Sequence, residues 1–374
     1  MKRLNISQVS AFFANGSYPI EFLFYFPNKL RTKRLRIALK KISKKFWPVF
    51  GSYNNGYIVE NKYLETDYYD ESVVNEAFDP DVAFESLYFK YGSVISNSIP
   101  RLFYLKVLHY TNGTVIIAKM NHLVGDGYSF FYFLSVLAAT TKRGSIPFIP
   151  ILLRALSKPK FHSKLHDNFH LSKEPPIIQT IYDDLVVETK EVNQSEIRSK
   201  ARITTEKSGL KISTNDILTA QLLKMIQKIK SHIQMETIGL VIPVDMRRAV
   251  PELGQRYFGN GLILHRISFT SDEITQKNVE ELAIKIRENF PERNLEKYTD
   301  FLNIIEDWIA AGKLENLQVY NPEIEFLVTN LSRMPVSRLD FGSGPPSKII
   351  PLTRGKSGAA ILVQDNKFIL QLGR

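Results

Sequence analysis

The sequence predicts an α/β protein built as two lobes, and three observations carry that expectation. A chain of 374 residues exceeds one average domain and suits two. Strand-like and helix-like patterns mix in both halves of the chain. Between the halves runs a basic stretch punctuated by Pro147, Pro150, Pro159, Pro175 and Pro176. Residues 1–141 are read as an N-terminal lobe, 142–179 as a crossover linker and 180–374 as a C-terminal lobe.

In order along the chain, Tyr18 to Phe26 is rich in aromatics and reads as a strand closed by Pro27. Lys29 to Lys45 holds nine basic residues, with Leu35, Leu39, Ile42 and Phe46 at helical spacing. This predicts an amphipathic helix whose basic face is either solvated or meets a membrane surface or nucleic acid. No aromatic residues interleave with the charges, which weighs against base stacking. Phe46 to Gly51 ends that helix, and Gly56 to Glu60 is a short strand after a turn. Leu102 to Tyr110 and Thr114 to Met120 are β-rich runs separated by Thr111-Asn112-Gly113, a hairpin signal. Gly127 to Thr140 reads as a helix with a broad apolar face. In the second half, Ser213 to Lys230, Ser271 to Phe290 and Asp300 to Ala311 read as helices. Ile238 to Val244, Gly261 to Phe269 and Ile324 to Asn330 read as strands, and a terminal hairpin turns at Asp365-Asn366.

Composition narrows the chemistry. The chain has no cysteine, which excludes disulfides, thiolate metal sites and a cysteine nucleophile. Its formal charge of +11 fits either plain solubility or an anionic partner. Met1-Lys2-Arg3 is followed by polar residues that break any signal-like apolar stretch. No apolar run approaches the roughly 20 residues of a membrane span. A cytoplasmic protein is expected. No P-loop, no G-x-G-x-x-G after a strand and no G-x-S-x-G elbow is present.

Seven histidines are available. His109 and His265 fall inside strands, and His232 near a helix end. His162, His166 and His170 are spaced by four and would share one face of a helix able to bind zinc. Breakers flank them, so no metal site is expected. His122 stands just past the second strand of the hairpin, followed by Asp126 and Gly127. Two readings remain open from the residues alone. In one, a neutral imidazole acts as general base on a hydroxyl or amine. In the other, His122 packs the strand end and Asp126 merely caps the following helix. In either, Asp126 fixes the loop through an arginine or backbone N–H groups, and Gly127 lets the helix start pack close to neighbouring backbone.

His122-Leu-Val-Gly-Asp126-Gly127 resembles the HxxxDG motif of the BAHD acyl-CoA-dependent acyltransferases, within the chloramphenicol-acetyltransferase-like superfamily. Asp340-Phe341-Gly342-Ser343-Gly344 resembles that family's DFGWG motif. Three weaker likenesses follow the family order: Phe46 to Gly51, Ser213 to Ala220, and Val244-Asp-Met-Arg247 with Tyr257-Phe-Gly-Asn260. The likeness spans nearly the whole chain.

The resemblance implies two chloramphenicol-acetyltransferase-like lobes with a tunnel between them. It implies His122 as general base, acyl-CoA as co-substrate, no permanently bound cofactor, and direct attack by a small-molecule alcohol or amine without an acyl-enzyme. It implies a structural ion pair between Asp340 and Arg247, with Arg248 as the alternative partner. Thr329, Asn330 and Ser343 are expected near the tunnel. Lys158, Lys160 and Lys164 are candidates for steering CoA. A monomer with no nucleic-acid partner is expected. Ser343 replaces the family's tryptophan, which puts substrate identity in doubt more than reaction type. Two alternatives stand beside this reading. One is a condensation-domain-like enzyme using carrier-protein thioesters, although Asn121 occupies the place of that group's first histidine. The other is a non-catalytic binding protein on the same fold.

Overall fold

The computed structural model describes residues 2–11, 13, 19–54, 56–82, 101–147, 151–152, 187–229, 236–313, 319–352, 358–364 and 367–373. Two large sheets organise them. The first has five strands in the order Lys348–Pro351, Pro19–Phe26, Gly113–Asn121, Phe103–Tyr110 and Tyr69–Val73. The second has six, in the order Leu262–Thr270, Thr237–Asp245, Glu325–Asn330, Gly358–Gln364, Lys367–Gly373 and Val187–Asn193. Both sheets mix parallel and antiparallel pairs.

Period-two alternation builds the first sheet. In Pro19–Phe26, Phe22, Phe24 and Phe26 enter the main N-terminal core, while Leu23 and Tyr25 enter a smaller core on the opposite face. Helix Gly127–Arg143 covers the inner face with Phe130, Phe131, Phe133, Leu134 and Leu137. The ring of Phe22 meets those of Phe130 and Phe131 at 5.5 and 5.1 Å. Helix Thr32–Ser43 packs beside it, burying Leu35, Leu39 and Ile42. The hairpin pairs Tyr110 with Gly113, so Thr111 and Asn112 alone make its loop. A Cβ at Gly113 would stand 2.4 Å from the Phe26 carbonyl oxygen, which restricts that position to glycine.

The second core lies between the six-stranded sheet and its helices. It draws on Ile217, Leu222, Leu223 and Ile226 of Thr214–Ile229, and on Leu282 and Ile286 of Val279–Glu288. The helix expected over Ser271 to Phe290 is two helices, Ser271–Gln276 and Val279–Glu288. Asn278 takes the N-cap position, its side chain accepting from Glu281 N–H, and so restarts the helix. The helix expected from Asp300 begins at Leu295, because Asn294 caps it. Strand Val187–Asn193 and helix Gln194–Ser208 were not expected.

The two halves exchange pieces. Lys348–Pro351, from the region assigned to the second lobe, pairs antiparallel with Pro19–Phe26 and so belongs to the first sheet. In return Val9 and Phe13 pack into the second core. His162, His166 and His170, and Lys158, Lys160 and Lys164, lie outside the described residues.

Candidate active site

The strand Gly113–Asn121 lies at the centre of its sheet, and His122 is the first residue beyond it. Asn121 shapes the exit: its carbonyl accepts from Val124 N–H at 3.0 Å and its side chain from Leu123 N–H at 2.9 Å. His122 is half-buried. Phe13 stacks on its ring, centroids 4.3 Å apart and planes 20° from parallel.

Asn260 holds the histidine from the other half of the chain. Its Nδ2 donates to the His122 carbonyl oxygen at 2.7 Å and to Ser10 Oγ at 3.1 Å. A carbonyl oxygen can only accept, so the amide orientation is fixed, and Oδ1 faces His122 Nδ1 at 3.2 Å. That contact is a hydrogen bond only if Nδ1 carries the proton. The neutral ring therefore presents its lone pair on Nε2. Burial pushes the His122 pKa below its ordinary value of 6.5, against the opposing pull of Asp126 and of the Asn260 bond.

Asp126 caps helix Gly127–Arg143, accepting from Ser129 N–H at 2.9 Å. The same carboxylate takes two hydrogen bonds from Arg247, Nη1 to Oδ2 at 2.8 Å and Nη2 to Oδ1 at 2.9 Å. Gly261 N–H adds a bond to Oδ2 at 2.9 Å. Arg247 reaches further, to Ser129 Oγ at 3.1 Å and to the Gly259 and Tyr257 carbonyls at 2.8 and 3.2 Å. Its other acidic partner is the half-exposed Asp245, at 3.0 Å. Burial alone would discharge Asp126, but the Arg247 charge and the donated hydrogen bonds outweigh it and hold the pKa below the ordinary value. Arg247 is held above its own ordinary value.

Glycines make room for this latch. A Cβ at Gly125 would stand 2.6 Å from Ser129 Cβ, and one at Gly261 would stand 2.9 Å from Arg247 Cζ. The close approach expected at Gly127 falls on Gly125 instead: a Cβ at Gly127 would meet only Leu331 Cδ2, at an ordinary 3.8 Å.

The ion pair expected between Asp340 and Arg247 does not form. Arg247 is saturated by Asp126, Asp245 and backbone carbonyls, while Asp340 pairs with Lys142 at 2.5 Å. The other Asp340 oxygen accepts from Gly342 and Gly344 N–H at 2.8 and 3.0 Å, closing the turn. Arg248, the alternative partner, is exposed. Ser343 leaves its Oγ buried without a hydrogen-bond partner among the described residues. Thr329 and Asn330 close the strand Glu325–Asn330 half-buried, and Asn330 is bonded to Asn215 at the start of helix Thr214–Ile229.

Sequence reasoning missed Ser10, Phe13, Ser129 and Lys142, and it named Asn260 in a family-like segment without giving it a role. The one available signal was Ser129, three residues after a capping Asp126. No helix among the described residues is long and apolar enough to cross a membrane.

A family model described as the transferase family matches residues 70–371. Comparison with curated proteins by sequence finds no match. Among solved structures, TRI101 of F. graminearum, complexed with ethyl coenzyme A, is similar with a TM-score of 0.78 at 13% identity, over 100% of this chain and 94% of that one. Vinorine synthase is similar with a TM-score of 0.73 at 18% identity, over 100% and 90%. The first condensation domain of the CDA synthetase gives 0.60 at 10%, over 100% and 90%. The chain belongs to the transferase family and is an acyltransferase of the BAHD type.

Proposed function

We propose that the protein moves an acyl group from acyl-CoA to a hydroxyl or amine of a small-molecule acceptor, with His122 Nε2 as the general base. The observation that carries this is the Asn260 clamp, which leaves Nε2 unprotonated on a neutral ring. The acceptor would give its proton to Nε2 as its oxygen or nitrogen bonds to the thioester carbonyl carbon. The carbon–sulfur bond then breaks, and the CoA thiolate takes the proton back from the imidazolium. No acyl-enzyme forms. A base so placed contributes about a hundred- to ten-thousandfold in rate.

The solved relatives in fold support the co-substrate. One TRI101 structure holds ethyl coenzyme A, and another holds coenzyme A with T-2 mycotoxin. The chain works as a monomer on this reading, since one chain supplies both His122 and Asn260. The lack of cysteine fits a reducing compartment such as the cytoplasm.

The test is a panel of acyl-CoAs against alcohols and amines, following free CoA. Acceptor-dependent release that is lost in His122→Ala is the expected result. Release equal in both proteins would remove His122 as base. Transfer only from a carrier-bound thioester, never from free acyl-CoA, would favour the condensation-type alternative.

A further inference from the structure

The outer face of helix Thr32–Ser43 takes no part in the site above. Lys33, Arg34, Ile37, Lys40 and Lys41, with Lys44 just beyond the helix, are all exposed. At 100° per residue they fall within one arc of about 120°. Opposite them lie the buried Leu35, Leu39 and Ile42. Ile37 stands amid the charges and is 50% exposed. Arg36 lies off this arc, paired with Glu65.

Against this face, where helix Gly127–Arg143 ends, is a recess of about 290 Å³. Arg34, Ile37, Lys41, Lys142 and Arg143 line it, and no acidic side chain does. Lys41 donates to the Gly144 carbonyl at 2.7 Å and Lys142 pairs with Asp340. Both ammonium groups are thereby fixed in place. Arg34 and Arg143 have no ion-pair partner among the described residues, so two guanidinium groups are free to take an anion.

We propose that this face seats the protein on an anionic membrane surface, with a phosphorylated lipid headgroup in the recess. Charge complementarity selects the class of partner. A basic face without an acidic residue is attracted to anionic lipid, and guanidinium groups bind phosphate oxygens through paired N–H donors. Ile37 selects lipid among polyanions: an aliphatic side chain inside a basic arc gains by entering the acyl boundary while the lysine stems reach back to headgroups. The arc holds no aromatic side chain on which a base could stack.

The test is co-sedimentation of the full chain with vesicles of phosphatidylcholine alone, or with added phosphatidylserine or phosphatidylinositol bisphosphate. Pelleting is expected only with the anionic vesicles, most with the bisphosphate, and is expected to weaken as salt rises. Lys33→Glu/Arg34→Glu/Lys40→Glu should lower vesicle affinity at least about tenfold, with melting temperature and CoA release unchanged. Ile37→Asp should lower it with every basic residue in place. Equal pelleting with neutral vesicles, or undiminished binding by the charge-reversed protein, would overturn the proposal. So would short duplex DNA that displaces the vesicles, or inositol phosphate bound in solution without any pelleting on lipid.

Discussion

Asp126 is held by Arg247, 121 residues further along the chain, through two parallel hydrogen bonds of 2.8 and 2.9 Å. This pair ties the helix that follows His122 to the segment that carries Asn260. The aspartate of the motif thus acts on the histidine by fixing both sides of its seat.

Breaking that pair should be costly. Arg247→Ala leaves the buried Asp126 charge without its cation, and Asp126→Ala leaves the buried Arg247 with only the half-exposed Asp245, so each should cost up to about 3–5 kcal/mol. Denaturant unfolding should show a loss of that size, with activity falling alongside.

His122→Ala should instead lower kcat by about a hundred- to ten-thousandfold while the melting temperature holds. Asn260→Ala should lower kcat by about a hundredfold, because the ring loses its fixed position and its tautomer. The readout is CoA release at saturating substrates. An Asn260→Ala protein with unaltered kcat would show that the clamp does not orient the base.

The pH profile follows from burial of His122, whose pKa lies below its ordinary 6.5. The ring gives up its proton more readily than a free imidazole, so the rate should begin to fall at a lower pH than a free imidazole would set. Stability follows the same sign. The unfolded chain takes the proton first as pH falls, so the contribution of the neutral ring is whole above about 6.5 and is lost as pH drops through the lower native value. Rate–pH and melting–pH curves check both.

Gly125→Ala and Gly127→Ala should move in opposite directions. The first forces a Cβ against Ser129 inside the latch and should cost about 1–3 kcal/mol. The second adds a methyl at the first helical position, where it meets only Leu331 Cδ2 at an ordinary 3.8 Å, and should stabilise by about 0.4–1 kcal/mol. Thermal melts of the two proteins distinguish them.

Asp340→Ala should cost only about 1 kcal/mol, because its partner Lys142 is exposed and the rest of its role is two turn hydrogen bonds. A loss as large as that of Asp126→Ala would show that this turn carries load through contacts beyond those two.

Much of the fold was legible where local pattern decides. The Thr111-Asn112-Gly113 stretch marked the hairpin and so put His122 at a strand end, and the apolar face of Gly127–Arg143 announced its helix. Edge elements were harder to see. Val187–Asn193 is rich in charged residues and, among the described residues, pairs along only one side, so it needs no apolar run. Tyr69–Val73 is likewise an edge strand with acids at its centre. In the site, the aspartate as a loop-holder was readable from its place before a helix. The family resemblance assigned its arginine to Asp340 instead, and nothing in the residues themselves says which of two acids is buried beside a cation. Asn260 stood in a segment that resembles the family, but its role on His122 was not readable, since that role exists only once two distant segments meet.

The strand Lys348–Pro351 has a consequence for how the protein is made. Residues 19–26 leave the ribosome long before Lys348–Pro351, the strand that covers their outer edge. Until then a strand of aromatic residues offers unpaired N–H and C=O groups to any neighbour. A nascent or truncated chain ending before residue 348 carries that open edge, so C-terminal deletions should aggregate through the first sheet rather than yield a free N-terminal half.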